Sequence, residues 1–315
     1  MPTQDRVCLP PHISPENVLA NPHFAAARAR YFGLILAIYD NNPFLARLFG
    51  DSARYSVFLT ALRLDALQVP DEPPTWLTQR SIGNAVGPAG ILSQRTLTNC
   101  ISRLCQTGYL TKHPAPQDRR RHLLKPTPKM LAFYTQSSLS LLHPLAMLVP
   151  RADYGAALSG DAGFMLAQRR AAAAVLDRSI AILARNPEVM LFFSRDAGFL
   201  VMAMLERSAA QGNGIAEKPY AEAARRFGIS RTHVRKLLQA AEEAGLVEIR
   251  AAGGRAIALT DKLQRALDRF FADVISVTDL IFVLTTSQET SPAHPATSWP
   301  GGSTGRSSGE ASWSG

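Results

Sequence analysis

The chain has 315 residues, with 34 Lys and Arg against 25 Asp and Glu and a formal charge of +9. That length suits two domains, and its 46% apolar content is too high for a disordered chain. Unbroken apolar runs such as Leu34–Tyr39 fall short of the ~20 residues that span a bilayer, which argues against an integral membrane protein; three cysteines (Cys8, Cys100, Cys105) and a start without an apolar leader point to the reducing cytosol.

Residues 1–22, with five prolines, read as a flexible arm. A helix is expected over about 23–40, and Asn42-Pro43 starts a second over about 43–67. After Pro70–Pro74 come a short helix, a tight turn and a longer helix over 93–107, which Ser93 caps and Gly108 ends. Its apolar stripe is Leu97, Ile101 and Leu104. Two extended segments form a hairpin whose tip, at 113–125, carries Arg119–Arg121, and Thr127 caps a last helix over about 128–149. A linker, 151–161, leads into the same series again: helices over about 162–185 and 188–209, a loop at Gln211–Gly214, and a longer helix over 230–244 ended by Gly245. Then come two short extended segments and a helix over about 261–284. Residues 287–315, rich in Ser, Gly, Pro and Thr, read as a disordered tail.

The repetition is residue by residue. At a shift of 144, Ile38, Asn42-Pro43, Phe49, Ala53 and Val57 meet Ile182, Asn186-Pro187, Phe193, Ala197 and Val201. At 137, Ser93, Leu97, Ile101 and Gly108 meet Ser230, Val234, Leu238 and Gly245. At 133, Thr127-Pro128-Lys129 meets Thr260-Asp261-Lys262. The shift changes where loops are expected, so the ordered series argues for an internal duplication. The expected fold is mainly α: tandem winged helix-turn-helix domains, 23–150 and 162–286, whose long flanking helices cover one another in an intramolecular pseudo-dimer.

The exposed sides of the two longer helices carry base-reading chemistry. The first offers Ser93, Gln94, Arg95, Thr98, Asn99 and Arg103; the second Ser230, Arg231, Thr232, His233, Arg235 and Lys236. Arg and Lys donate to guanine, Asn and Gln pair with adenine, and Thr meets the thymine methyl. A solvated face normally mixes both charge signs, whereas the first turns here lack Asp and Glu. Residues 95–129 carry eight Lys and Arg against Asp118 alone, a net +7; residues 225–262 carry eight against four acids, a net +4. A basic footprint on one structural unit is the mark of phosphate contact.

The stretch Ser93–Lys129, SQRTLTNCISRLCQTGYLTKHPAPQDRRRHLLKPTPK, resembles the recognition helix and wing of the MarR family of bacterial transcription regulators. The resemblance rests on Asp118-x-Arg120, Leu123-Leu124 and Thr127-Pro128-Lys129. It implies that Asp118 braces the wing and that Arg119, Arg120 or Arg121 enters the minor groove. The second copy is similar in its helix, but Gly253-Gly254-Arg255 replaces the Asp-Arg run, leaving Arg255 as its groove contact. His122 in the wing and His233 on the second helix are expected to touch phosphate or base.

The expected function is therefore a sequence-specific, double-stranded-DNA-binding transcription regulator acting in the cytosol at the nucleoid. Its recognition helices, about 34 Å apart, would enter the major groove. The expected partners are DNA and the transcription machinery or another regulator, with no membrane; the chain would work alone, or as a homodimer through leftover apolar surface. No catalytic constellation, cofactor motif or metal-ligand spacing is present in the sequence. Cys100 is expected in the core and Cys105 nearer the surface. Two rivals remain: a tandem winged-helix replication initiator, and a protein-interaction module that no longer reads DNA.

Overall fold

A computed structural model describes residues 9–40, 42–86, 93–115, 120–212, 214–217, 219–251 and 256–289. The described chain is mainly helical. In order it runs α1 (Pro15–Leu19), α2 (Phe24–Tyr39), α3 (Pro43–Phe49), α4 (Ser52–Leu67), α5 (Gln79–Val86), α6 (Gln94–Gln106), β1 (Leu110–Pro114), β2 (His122–Pro126) and α7 (Pro128–Leu148). It continues with α8 (Gly155–Ser159), α9 (Ala162–Ala174), α10 (Leu176–Arg185), α11 (Pro187–Phe193), α12 (Gly198–Gln211), β3 (Ile215–Glu217), α13 (Pro219–Phe227), α14 (Arg231–Glu243), β4 (Val247–Ile249), β5 (Ala256–Leu259) and α15 (Asp261–Glu289).

Three expected helices are each broken in two. The segment 43–67 splits at Gly50, where an added Cβ would lie 2.1 Å from the Ala46 carbonyl oxygen and 3.1 Å from Ala197 N. Asp51 then caps α4 by accepting from Arg54 N at 2.7 Å. The segment 188–209 splits at Ala197, which takes a left-handed φ of 53°, and 162–185 splits at Val175. These breaks let the two halves approach closely, which no local pattern announces.

The arm and the linker also differ from expectation. Within residues 1–22, α1 forms on a Ser14 cap, and Val18 is fully buried. Ile13 N donates to Asp279 Oδ2 at 2.8 Å, pinning this segment to α15. The linker 151–161 contains α8, and α15 runs on to Glu289, past the expected start of the tail. By length and composition α15 is apolar enough to cross a bilayer, yet most of that stretch is buried. Its two buried carboxylates are held by arginines: Asp279 by Arg151, and Asp273 by Arg185 at 3.2 Å.

Packing is reciprocal between the halves. α2 packs on α7 and α10 on α15; α4 packs on α9 and, correspondingly, α12 on α2. The buried apolar residues of both halves form one core. An ionic hub crosses it: Arg28 on α2 pairs with Glu206 on α12 and Asp268 on α15, and donates to Gln264 Oε1 at 3.2 Å.

Candidate nucleic-acid interface

The two helices singled out in the sequence are built alike. Ser93 Oγ accepts from Thr96 N at 3.2 Å and Ser230 Oγ from His233 N at 3.0 Å, so both hydroxyls cap their own helices. At the other end Gly108 (φ 75°) and Gly245 (φ 70°) turn the chain left-handed. Tyr109 N and Leu246 N then donate back to the Leu104 and Ala241 carbonyls, each at 2.8 Å, closing Schellman turns. Lys129 Nζ donates to Thr107 O and Lys262 Nζ to Ala244 O, both at 2.9 Å. The two motif lysines thus neutralise helix C-termini.

Each helix buries its apolar stripe: Leu97, Cys100, Ile101 and Leu104 on α6, and Val234, Leu237, Leu238 and Ala241 on α14. Opposite these, Gln94, Arg95, Thr98, Asn99 and Arg103 are exposed on α6, as are Arg231, Thr232, Arg235 and Lys236 on α14. Thr98 is partly committed: its hydroxyl donates to Gln94 O at 2.9 Å and accepts from Gln79 Nε2 at 2.8 Å. His233 is turned inward and half-buried, its Nε2 2.9 Å from Asp196 O. That contact ties α14 to the α11–α12 turn.

The hairpin after α6 pairs Leu110 with Pro126 through to Pro114 with His122. Arg121 stands 6.0 Å from the Trp76 ring, and Arg120, Arg121 and His122 are exposed. Asp118 and Arg119 lie outside the described residues, as does Arg255. The second hairpin differs by a third strand, in the order β3-β5-β4; in the first half one bond stands in its place, Leu124 N to Leu77 O at 2.9 Å.

The charges are also spent differently. Arg95, Arg103, Lys112 and Lys125 in the first half form no ion pair among the described residues. In the second, Arg225 pairs with Glu222 at 2.9 Å, Arg250 with Glu248 at 3.0 Å and Arg226 with Asp40 at 2.5 Å. Among the described residues this leaves Arg231, Arg235 and Lys236 as the exposed bases of α14 without an acidic partner.

No family model, curated protein or solved structure matches this chain.

A basic groove joins the two helices. Arg103 on α6 and Ser230 and His233 on α14 line one cavity of about 380 Å³ with Arg47, Arg54 and Asp196. Arg47 donates to Gly228 O at 2.8 and 3.2 Å, and Arg54 pairs with both Asp51 and Asp196. Sequence reasoning passed over Arg47, Arg54 and Asp196, because their roles appear only when the halves meet. The 13 residues of α6 span about 20 Å. Arg103 on α6 and Ser230 at the start of α14 line that one cavity, so the two helices approach each other there.

Cys100 is buried, and burial pushes its thiol up to about 11, so at neutral pH it is a protonated core residue. Cys105 is half-buried, and burial raises it too. Cys8 lies outside the described residues.

Proposed function

We propose that this chain is a sequence-specific, double-stranded-DNA-binding transcription regulator: two MarR-like winged helix-turn-helix units fused as a pseudo-dimer and acting in the cytosol at the nucleoid. The observation that carries this reading is the pair α6 and α14. Each has a buried apolar stripe, an acid-free exposed start, and the same cap, glycine turn and lysine lock at its ends. In this reading Arg95, Asn99, Arg231 and Arg235 meet base edges in the major groove, and Arg119–Arg121 in the first wing meet the minor groove. The reciprocal packing of α4 on α9 and α12 on α2 supports two halves that mate as subunits would.

The halves are not equivalent readers. Their base-facing residues differ, and the second half neutralises more of its own charge. The preferred site is therefore asymmetric, and the first half supplies most of the affinity. Selection from random DNA followed by titration at several salt concentrations tests this. The expected result is one chain on an unlike pair of half-sites, with affinity falling steeply as salt rises. Changing Arg119, Arg120 and Arg121 to Ala should weaken binding to all sequences and flatten that salt slope; Arg95→Ala should cost about 1–3 kcal/mol, mainly at its own base position. Equal losses from Arg231→Ala and Arg235→Ala would overturn the ranking of the halves. A palindromic optimum bound by two chains would sink the pseudo-dimer, and binding indifferent to salt would favour a protein-interaction module.

A further inference from the structure

The two heads, each a helix pair with its hairpin, are not attached alike. The first head, α5, α6, β1 and β2, packs on α4 and α7 of its own half. The second, α13, α14 and β3 to β5, packs on α12 of its own half and also on α3 of the first half.

Several groups build that additional contact. Gly228, in the turn from α13 to α14, sits so close to α3 that an added Cβ would lie 2.7 Å from Pro43 Cβ. Only a residue without a side chain lets the two backbones come this near. Arg47 on α3 donates to the Gly228 carbonyl from Nη2 at 2.8 Å and from Nε at 3.2 Å, a fork that fixes the direction of approach. Arg226 at the end of α13 pairs with Asp40, the C-cap of α2, at 2.5 Å. The Arg226 side chain keeps only 16% exposure, so salt screens this pair less than an open surface pair. Arg54 on α4 adds a tie from the other side. It pairs with Asp196, whose carbonyl oxygen lies 2.9 Å from His233 Nε2 on α14.

The duplication shows that the contact is one-sided. At the shift of 144, Asp40, Arg47 and Arg54 correspond to Ala184, Leu191 and Gly198. At 137, Arg226 and Gly228 correspond to Ala89 and Ile91. Neither the ion pair nor the guanidinium fork can form from these residues, and Ile has no ready access to the left-handed backbone of Gly228. Pro43 keeps its counterpart in Pro187, so what the other side lacks is the set of gripping residues. From the first head, Arg103 lines the groove beside this contact, and it forms no ion pair among the described residues.

We propose that Asp40, Arg47 and Arg54 clamp the second head to the body of the molecule, so that the head carrying α14 is fixed and the head carrying α6 is the one that moves. They are positioning residues, acting through α13 and the turns that flank α14. The use of the clamp on DNA rests on the function proposed above: α14 sets the register on the duplex, and α6 adjusts to the other half-site.

Distances between spin labels in the full chain, without DNA, test the clamp. The background carries Cys8→Ala, Cys100→Ala and Cys105→Ala. Labels sit on cysteines introduced at exposed positions: Asp177→Cys on α10 as the body reference, with either Gln239→Cys on α14 or Ser102→Cys on α6. The distance distribution from 102 to 177 should be about twofold wider than that from 239 to 177. This comparison needs no clamp variant to fold. Asp40→Ala with Arg47→Met should widen the 239 distribution to match and leave the 102 distribution unchanged. Asp40→Arg alone should widen it as well, and Asp40→Arg with Arg226→Asp, which restores the pair with its charges exchanged, should narrow it again. Bulk loosening of the fold would not be rescued in that way. Equal widths in the parent overturn the clamp, as does a 239 distribution indifferent to the loss of Asp40 and Arg47. On selected DNA whose half-sites are moved apart by one base pair, the 102 distance should shift and the 239 distance should not; a shift at 239 would overturn the role of α14 in setting register. If no DNA is bound, the DNA reading fails, and the label widths still decide the clamp.

Discussion

Thr127 and Thr260 do one job in two places. Each hydroxyl caps a long final helix and also donates to the glycine carbonyl that ends the helix before the hairpin, Gly108 O at 2.7 Å and Gly245 O at 2.9 Å. Thr127→Ala or Thr260→Ala should each cost about 1 kcal/mol in urea unfolding, and the two losses should add, because the sites are distant. His143 on α7 gives the pH dependence. Burial, and then the nearby Arg30 charge, hold its ring below the ordinary histidine value. A depressed folded value means that its contribution is present above about pH 6.5 and is lost as pH falls through the folded value. His143→Gln should therefore flatten the fall of melting temperature between about pH 7 and pH 5; an unchanged profile would show that the ring does not titrate with unfolding.

Between elements, glycines are distinguished by what surrounds them. Gly108 (φ 75°) ends α6 in open space, whereas Gly228 (φ 64°) joins α13 to α14 where an added Cβ would meet Pro43 Cβ at 2.7 Å. Gly108→Ala should cost about 1 kcal/mol from backbone strain alone. Gly228→Ala should cost about 2–3 kcal/mol, since it also pushes α13 off α3 and disturbs the Arg47 bonds to its carbonyl. Equal losses would mean that the α3 contact is soft. The repeated Asn-Pro shows the opposite lesson, one motif with two uses. Asn42 caps α3 by accepting from Leu45 N at 3.4 Å. Asn186 is fully buried, donates to Asp273 Oδ2 at 3.0 Å and accepts from Arg269 Nε at 3.1 Å, tying α10 and α11 to α15.

Across the whole molecule, stability and the proposed function both depend on the seam between the halves. Arg28 bridges Glu206 and Asp268 from two elements of the other half. Arg28→Met leaves two carboxylates facing each other without a cation. The expected loss is about 2–3 kcal/mol, below the ~3–5 of a fully buried pair because the Asp268 side chain keeps 35% exposure. Thermal unfolding should remain a single transition, because one core runs through both halves. Two separated transitions would show that the halves melt as independent domains. The groove lined by Arg103, Arg47 and Ser230 lies on the same seam, so changes that loosen it should alter half-site spacing in the DNA-selection experiment.

The sequence by itself determined whatever depends on neighbours a few residues away. Ser93 and Ser230 as caps, Gly108 and Gly245 as left-handed stops, and the apolar stripes of α6 and α14 all follow from local hydrogen bonding and from periodicities visible in one strand of text. Only the tertiary structure decided the rest. Gly50, where α3 ends, lies where the backbone of Ala197 comes close, and the segment before α1 is pinned by Asp279, more than 260 residues away, which accepts from Ile13 N. His233 has its Nε2 2.9 Å from Asp196 O, a contact that no spacing in the sequence announces. Arg63 reads as an ordinary helix cation, and in the fold it lines a cavity shared by both halves. Each of these outcomes is fixed by atoms from distant parts of the chain, whose approach costs chain entropy that only the shared core repays, and a pairing set by the whole core leaves no mark on the residues next to it.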